Sequence, residues 1–71
     1  MNRMTDEQRV IEFLKDNMEY GYRAIELSEQ LGIDLMEVKH ILEQLVDKKV
    51  VWRKITRGER GTEVYYNYVG E

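Results

Sequence analysis

The chain has 71 residues, with 11 Lys+Arg against 14 Asp+Glu, a formal charge of −3. It is 42% apolar and 35% charged, a globular rather than a disordered composition, and its length suits one domain spanning residues 1–71. Cysteine is absent, which excludes disulfides, iron–sulfur clusters and thiolate zinc sites; a lone histidine, His40, excludes an imidazole-rich metal site. Proline is absent, no apolar run is long enough to span a membrane, and nothing after Met1 reads as a secretory signal. The expectation is a small cytoplasmic domain that folds on helix and sheet packing without a cofactor.

Thr5 with Gln8 three residues later forms a capping-box pattern, and Asp6 and Glu7 suit the positive end of a helix. Val10, Ile11, Leu14 and Met18 follow at helical spacing, so a first helix is expected from Asp6 to Asn17 or just beyond. Gly21 marks the loop, and Tyr22-Arg23 is a short extended link. A second helix is expected over Ala24–Leu31, burying Ile25, Leu27 and Leu31 and stopping at a left-handed Gly32. Ile33 is a buried anchor in the turn.

Asp34, with Glu37 three residues on, caps a third helix expected over Leu35–Lys48. Leu35, Val38, Ile41, Leu42, Leu45 and Val46 fall on one face of it. Met36, Glu37, Lys39, His40, Glu43, Gln44 and Asp47 fall on the other. After Lys49 the period shortens from 3.6 to 2. Val50–Thr56 and Glu63–Val69 read as two strands of a hairpin, with residues 57–62 as a long basic tip. Val51, Val64, Tyr66 and Tyr68 are expected to face inward, with Trp52 and Tyr65 on the other side. The class is α+β.

Charge is unevenly placed. Residues 1–47 carry five bases and eleven acids, net −6; residues 48–71 carry six bases and three acids, net +3. An anionic partner meets the C-terminal third first. A hairpin edge guarded by solvated lysines is the plainer reading of the same charges.

Three helices, a tight turn between the second and third, then a hairpin: this order resembles the winged helix-turn-helix domain. Ala24-Ile25-Glu26-Leu27-Ser28-Glu29-Gln30-Leu31-Gly32-Ile33-Asp34 is similar to the A-x-x-L-A-x-x-L-G-I-S stretch of bacterial and archaeal regulators. Val38, Leu42 and Leu45 fit the run of their third helix. Val64-Tyr65-Tyr66-Asn67-Tyr68 resembles the last strand of ArsR- and MarR-like transcriptional regulators. The family usually has glycine where Lys49 stands.

The resemblance implies a small DNA-binding regulator or accessory factor. Its third helix would enter the major groove of double-stranded DNA through Met36, Lys39, His40 and Gln44. Its wing would hold phosphates through Arg53, Lys54, Arg57 and Arg60. Lys39 suits guanine O6/N7, Gln44 adenine, and Met36 a thymine methyl. The peptide N–H groups that open the second helix, next to Tyr22 and Arg23, are a further phosphate site. The acids Glu37, Glu43 and Asp47 oppose this reading and favour a winged helix used for contact with a protein partner. A monomer, a strand-edge homodimer and a subunit of a larger complex all stay open. No nucleophile constellation and no phosphate-cradling glycine loop is present, so an enzyme is not expected.

Overall fold

The computed structural model describes residues 3–70. Helices α1 (Asp6–Asp16), α2 (Ala24–Leu31) and α3 (Leu35–Asp47) precede strands β1 (Val51–Gly58) and β2 (Gly61–Tyr68), which pair antiparallel. This is the winged-helix arrangement, α+β, as expected.

The helix ends follow local chemistry. Thr5 accepts from the Gln8 N–H, and the Gln8 side chain accepts from the Thr5 N–H. Asn17 ends α1: its side-chain amide donates to the Phe13 carbonyl at 2.8 Å. The helix therefore stops before Met18, which is exposed instead of buried. Gly32 closes α2 at φ 65, as expected. There the Ser28 hydroxyl donates to the Ile33 carbonyl at 2.6 Å and fixes the turn into α3. Asp34 caps α3 by accepting from the Met36 N–H.

The core is Val10, Leu14, Leu27, Ile33, Val38, Ile41, Leu42, Leu45, Val51 and Tyr66. Ile25 departs from expectation and is 42% exposed. It lies about 100° around α2 from Ala24, off the face that Leu27 buries. Phe13 and Tyr22 meet edge to face at 5.1 Å beside this core. Arg9 reaches across to donate to the Leu31 carbonyl, tying α1 to the end of α2.

The C-terminus of α3 carries a Schellman motif. The Val50 N–H donates to the Leu45 carbonyl and the Lys49 N–H to the Val46 carbonyl, both at 3.0 Å. The left-handed position of that motif falls on Lys49, at φ 63. A side chain there is strained by roughly 1–2 kcal/mol, partly offset by glycine's greater loss of freedom on folding. Lys49→Gly is accordingly expected to stabilise the fold by up to about 1 kcal/mol, raising Tm by roughly 4–8 °C. Thermal unfolding followed by circular dichroism checks this; an unchanged or lowered Tm removes the strain.

The hairpin is tighter than its sequence implied. Gly58 pairs with Gly61, so the loop is Glu59-Arg60 alone rather than residues 57–62. The left-handed step of the turn falls on Gly61, at φ 111. Strand pairing thereby extends to Arg57 and fixes which face its side chain takes. Tyr22 adds a one-residue third strand: its N–H donates to the Tyr66 carbonyl at 3.0 Å and its carbonyl accepts from the Tyr66 N–H at 2.8 Å. Gly21 lies against β2, where a Cβ would meet the Asn67 side-chain oxygen at 2.9 Å. The loop before α2 therefore covers one side of β2 and leaves β1 as the open strand.

Candidate functional site

Direct cross-strand partners share a face. Val51, Arg53, Ile55 and Arg57 stand opposite Tyr68, Tyr66, Val64 and Thr62, and this face looks toward α3. Trp52 and Lys54 stand opposite Asn67 and Tyr65 on the other face. The four basic wing residues proposed from the sequence therefore do not form one surface. Arg53 and Arg57 share the helix-facing side, Lys54 points away, and Arg60 sits in the turn.

Between α3 and the wing runs an open groove of about 310 Å³. Lys39 and Glu43, one turn apart on α3, form one wall; Thr62, Glu63, Val64 and Tyr66 form the other; Arg23 and Ala24 lie at its end, so the groove itself holds two carboxylates. Burial is the main reason the Tyr66 hydroxyl pKa is raised; the nearby Arg53 charge acts the other way. Glu43 and Arg53 form an ion pair at 3.8 Å that links helix and wing across this space. Glu43 thus has a cation beside it, which the sequence did not reveal because the two are ten residues apart on different elements.

The remaining α3 candidates turn elsewhere. His40 and Gln44 line a second groove of about 410 Å³, shared with Glu37 and with Thr5, Asp6 and Glu7 at the start of α1. Lys48 closes the same side through an ion pair with Glu7 at 3.3 Å. Met36 lies between the two flanks and is 71% exposed. The exposed face of α3 therefore has a wing-side edge at Lys39 and an acidic edge around His40.

The start of α2 is already supplied with an anion. The Glu26 carboxylate accepts from the Arg23 N–H at 2.9 Å and from the Arg23 side chain at 3.3 Å. The backbone N–H bond, then the guanidinium, hold its pKa below the ordinary carboxylate range. This carboxylate competes with any phosphate approaching Tyr22 and Arg23, the site expected there from sequence. Glu26→Gln keeps an acceptor and removes the charge. It is expected to be less stable than the parent near pH 7 by roughly 0.3 kcal/mol, the low end for an exposed helix-terminus charge. Because the folded pKa is depressed, that increment is present above the unfolded carboxylate pKa and is lost as pH falls through the folded value. Urea unfolding at both ends of this window checks it; a gap that persists in acid contradicts it.

Among the described residues, Lys39, Lys54, Arg57 and Arg60 have no acidic partner within 4 Å, whereas Arg9, Arg23, Lys48 and Arg53 are paired. No group of three His, Cys, Asp or Glu residues among them is placed to hold a metal ion. Among the described residues no helix is long and apolar enough to cross a membrane. Tyr65 donates its hydroxyl to Glu63 and is half-buried, so of the two aromatics expected on the far side of the hairpin Trp52 is the exposed one.

The sequence matches no known protein family and no curated protein. Among solved structures it is similar to a possible transcriptional regulator from Methanosarcina mazei Go1, with TM-score 0.86 and 17% identity. The match covers 99% of this chain and 59% of that one, so the chain spans about three-fifths of its length. At this identity the likeness bears on the fold, and it agrees with the winged-helix architecture.

Proposed function

We propose that residues 1–71 form a winged-helix module that binds double-stranded DNA, in the manner of a small ArsR- or MarR-like transcriptional regulator or accessory factor. The observation that carries this is the placement of three cations without acidic partners among the described residues, one on α3 at the edge of the groove and two toward the tip of the wing. Lys39 edges the groove on α3, and Arg57 lies on the same wing face as Thr62, which lines it. Arg60 stands beyond, at the turn. Lys39 is the base-contacting candidate, with Met36 beside it, and Arg57 and Arg60 are the phosphate contacts. Arg53 has a smaller part than its charge implied, because it already neutralises Glu43. The description of the Methanosarcina protein as a possible regulator supports the same reading.

His40 and Gln44 stand farther from the wing in this arrangement. They would meet bases at the other edge of the major groove, beside Glu37. The reading assigns the chain no catalysis, cofactor or membrane contact and places it in the cytoplasm.

The second reading, a winged helix that contacts protein, rests on the acidic edge formed by Asp6, Glu7 and Glu37 around His40. The paired state of Glu43 weakens it, since one of the acids counted against DNA is offset in place.

Amide NMR titration with mixed-sequence duplex DNA, at low and then higher salt, separates the two. Salt-sensitive shifts at Lys39, Arg57 and Arg60 are the expected result. Silence there, at DNA concentrations above the roughly 10⁻⁴–10⁻⁶ M range of non-specific binding, overturns the DNA reading.

A further inference from the structure

Trp52 is the chain's single tryptophan, and it is 71% exposed on the face of β1 turned away from α3. A bulky, flat apolar group left open on so small a fold invites a ligand. It floors an open cavity of about 600 Å³ whose other lining residues are Arg53, Lys54, Ile55 and Asn67. Lys54 and the Asn67 amide share the indole's face, Arg53 turns to the other face toward Glu43, and no carboxylate lines the cavity, although acids outnumber bases in the chain.

We propose that this outer face of β1 binds single-stranded nucleic acid, with an unpaired base stacked on Trp52 and a neighbouring phosphate on Lys54. The three kinds of group a nucleotide requires are present together. Trp52 supplies a π-face, which accepts any base. Asn67, its direct cross-strand partner, supplies an amide donor for a base edge, while its oxygen lies against Gly21. Lys54 lies two residues along the same face, about 7 Å away, with no acidic partner among the described residues. A duplex does not satisfy this site, because its bases show edges and keep their faces stacked.

Charge also selects against two other occupants. A second copy pairing along β1 would set Arg53, Lys54 and Arg57 against one another, with no acid anywhere in Val51–Gly58 to relieve them. An acidic peptide would satisfy the cations but has no use for an open π-face beside an amide. The site is separate from the groove between α3 and the wing, so it does not depend on the duplex reading.

The intrinsic fluorescence of Trp52 reports on this site alone. Titration with a short oligothymidylate is expected to quench it saturably and in a salt-sensitive way; a duplex of matched length is expected to leave it nearly unchanged. Trp52→Ala should weaken oligothymidylate binding, read by anisotropy of a labelled strand, by roughly 5- to 150-fold. Trp52→Phe should retain most of the affinity, and Lys54→Ala should lower the salt slope by about 0.7. Because Trp52 lies outside the core, these variants are expected to fold, and their circular dichroism verifies it.

The proposal is overturned if folded Trp52→Ala binds oligothymidylate as tightly as the parent. It is equally overturned if oligoglutamate quenches Trp52 as strongly as oligothymidylate does, which would make the site one for acidic protein. Single-strand binding without duplex binding would sustain this proposal while the duplex reading fails; duplex binding with an unresponsive Trp52 would do the reverse.

Discussion

Replacing Arg57 and Arg60 together by alanine is expected to weaken duplex binding by roughly 60-fold at about 0.1 M salt. Each phosphate contact releases about 0.9 of a counterion, so losing two lowers the logarithmic salt slope by about 1.8. Taking equal binding at about 1 M salt, where this contribution vanishes, a tenfold dilution gives the stated factor. The loss should be the same for every DNA sequence, since a phosphate contact carries no base information. Neither side chain has an acidic partner within 4 Å among the described residues, and both are exposed, so folding should be untouched. Fluorescence anisotropy across a salt series is the measurement. Parallel salt plots for variant and parent would take the wing tip out of the binding mechanism.

Leu42→Ala is expected to bring the fold near its limit. Leu42 is fully buried within α3. Truncating such a leucine removes transfer energy and leaves a cavity, together about 3–5 kcal/mol. A domain of this size has a total stability of roughly 4–11 kcal/mol. Without disulfides or proline-stiffened loops, the chain has few other means to absorb the loss. Tm should fall by about 12 °C or more, and a sizeable unfolded population near body temperature would follow. Thermal and urea unfolding measure it. A loss below about 1 kcal/mol would mean that neighbouring side chains collapse into the space.

The helices were legible in the sequence because each carries its own punctuation. Thr5, Gly32 and Asp34 set boundaries by bonds to residues within a few positions, and periodicity identified the face of α3 that Val38, Leu42 and Leu45 bury. The reading failed at two apolar residues for local reasons. Met18 kept the helical period after Asn17 had ended the helix. Ile25 was assigned inward by its apolar character, although its angle on α2 places it outside.

The candidate site was legible as a set of residues and not as an arrangement. Composition identified Arg53, Lys54, Arg57 and Arg60 as basic, but strand register divides them between two faces. A period of two makes that division sensitive to where the turn falls, and the turn proved to be Glu59-Arg60. Likewise the pairing of Glu43 with Arg53 depends on how the wing leans over α3. Lys49 is the converse case: the resemblance, which has glycine at that position, pointed to a turn that a side chain strains, and Lys49 does take a positive φ of 63.

The two hydrogen bonds between Tyr22 and Tyr66 give the molecule a lever. They clamp the hairpin at its root, to the segment that leads directly into α2. Beyond Tyr66 the strand runs five residues to Gly61, an arm of about 17 Å. A tilt of about 10° at the clamp sweeps the tip through roughly 3 Å, close to the axial step between successive phosphates of one strand. On a duplex, such an arm acts as a calliper: the angle at which α2 and α3 seat themselves fixes which phosphate Arg57 and Arg60 reach. Groove dimensions, and through them DNA sequence, then bear on binding at positions no side chain touches.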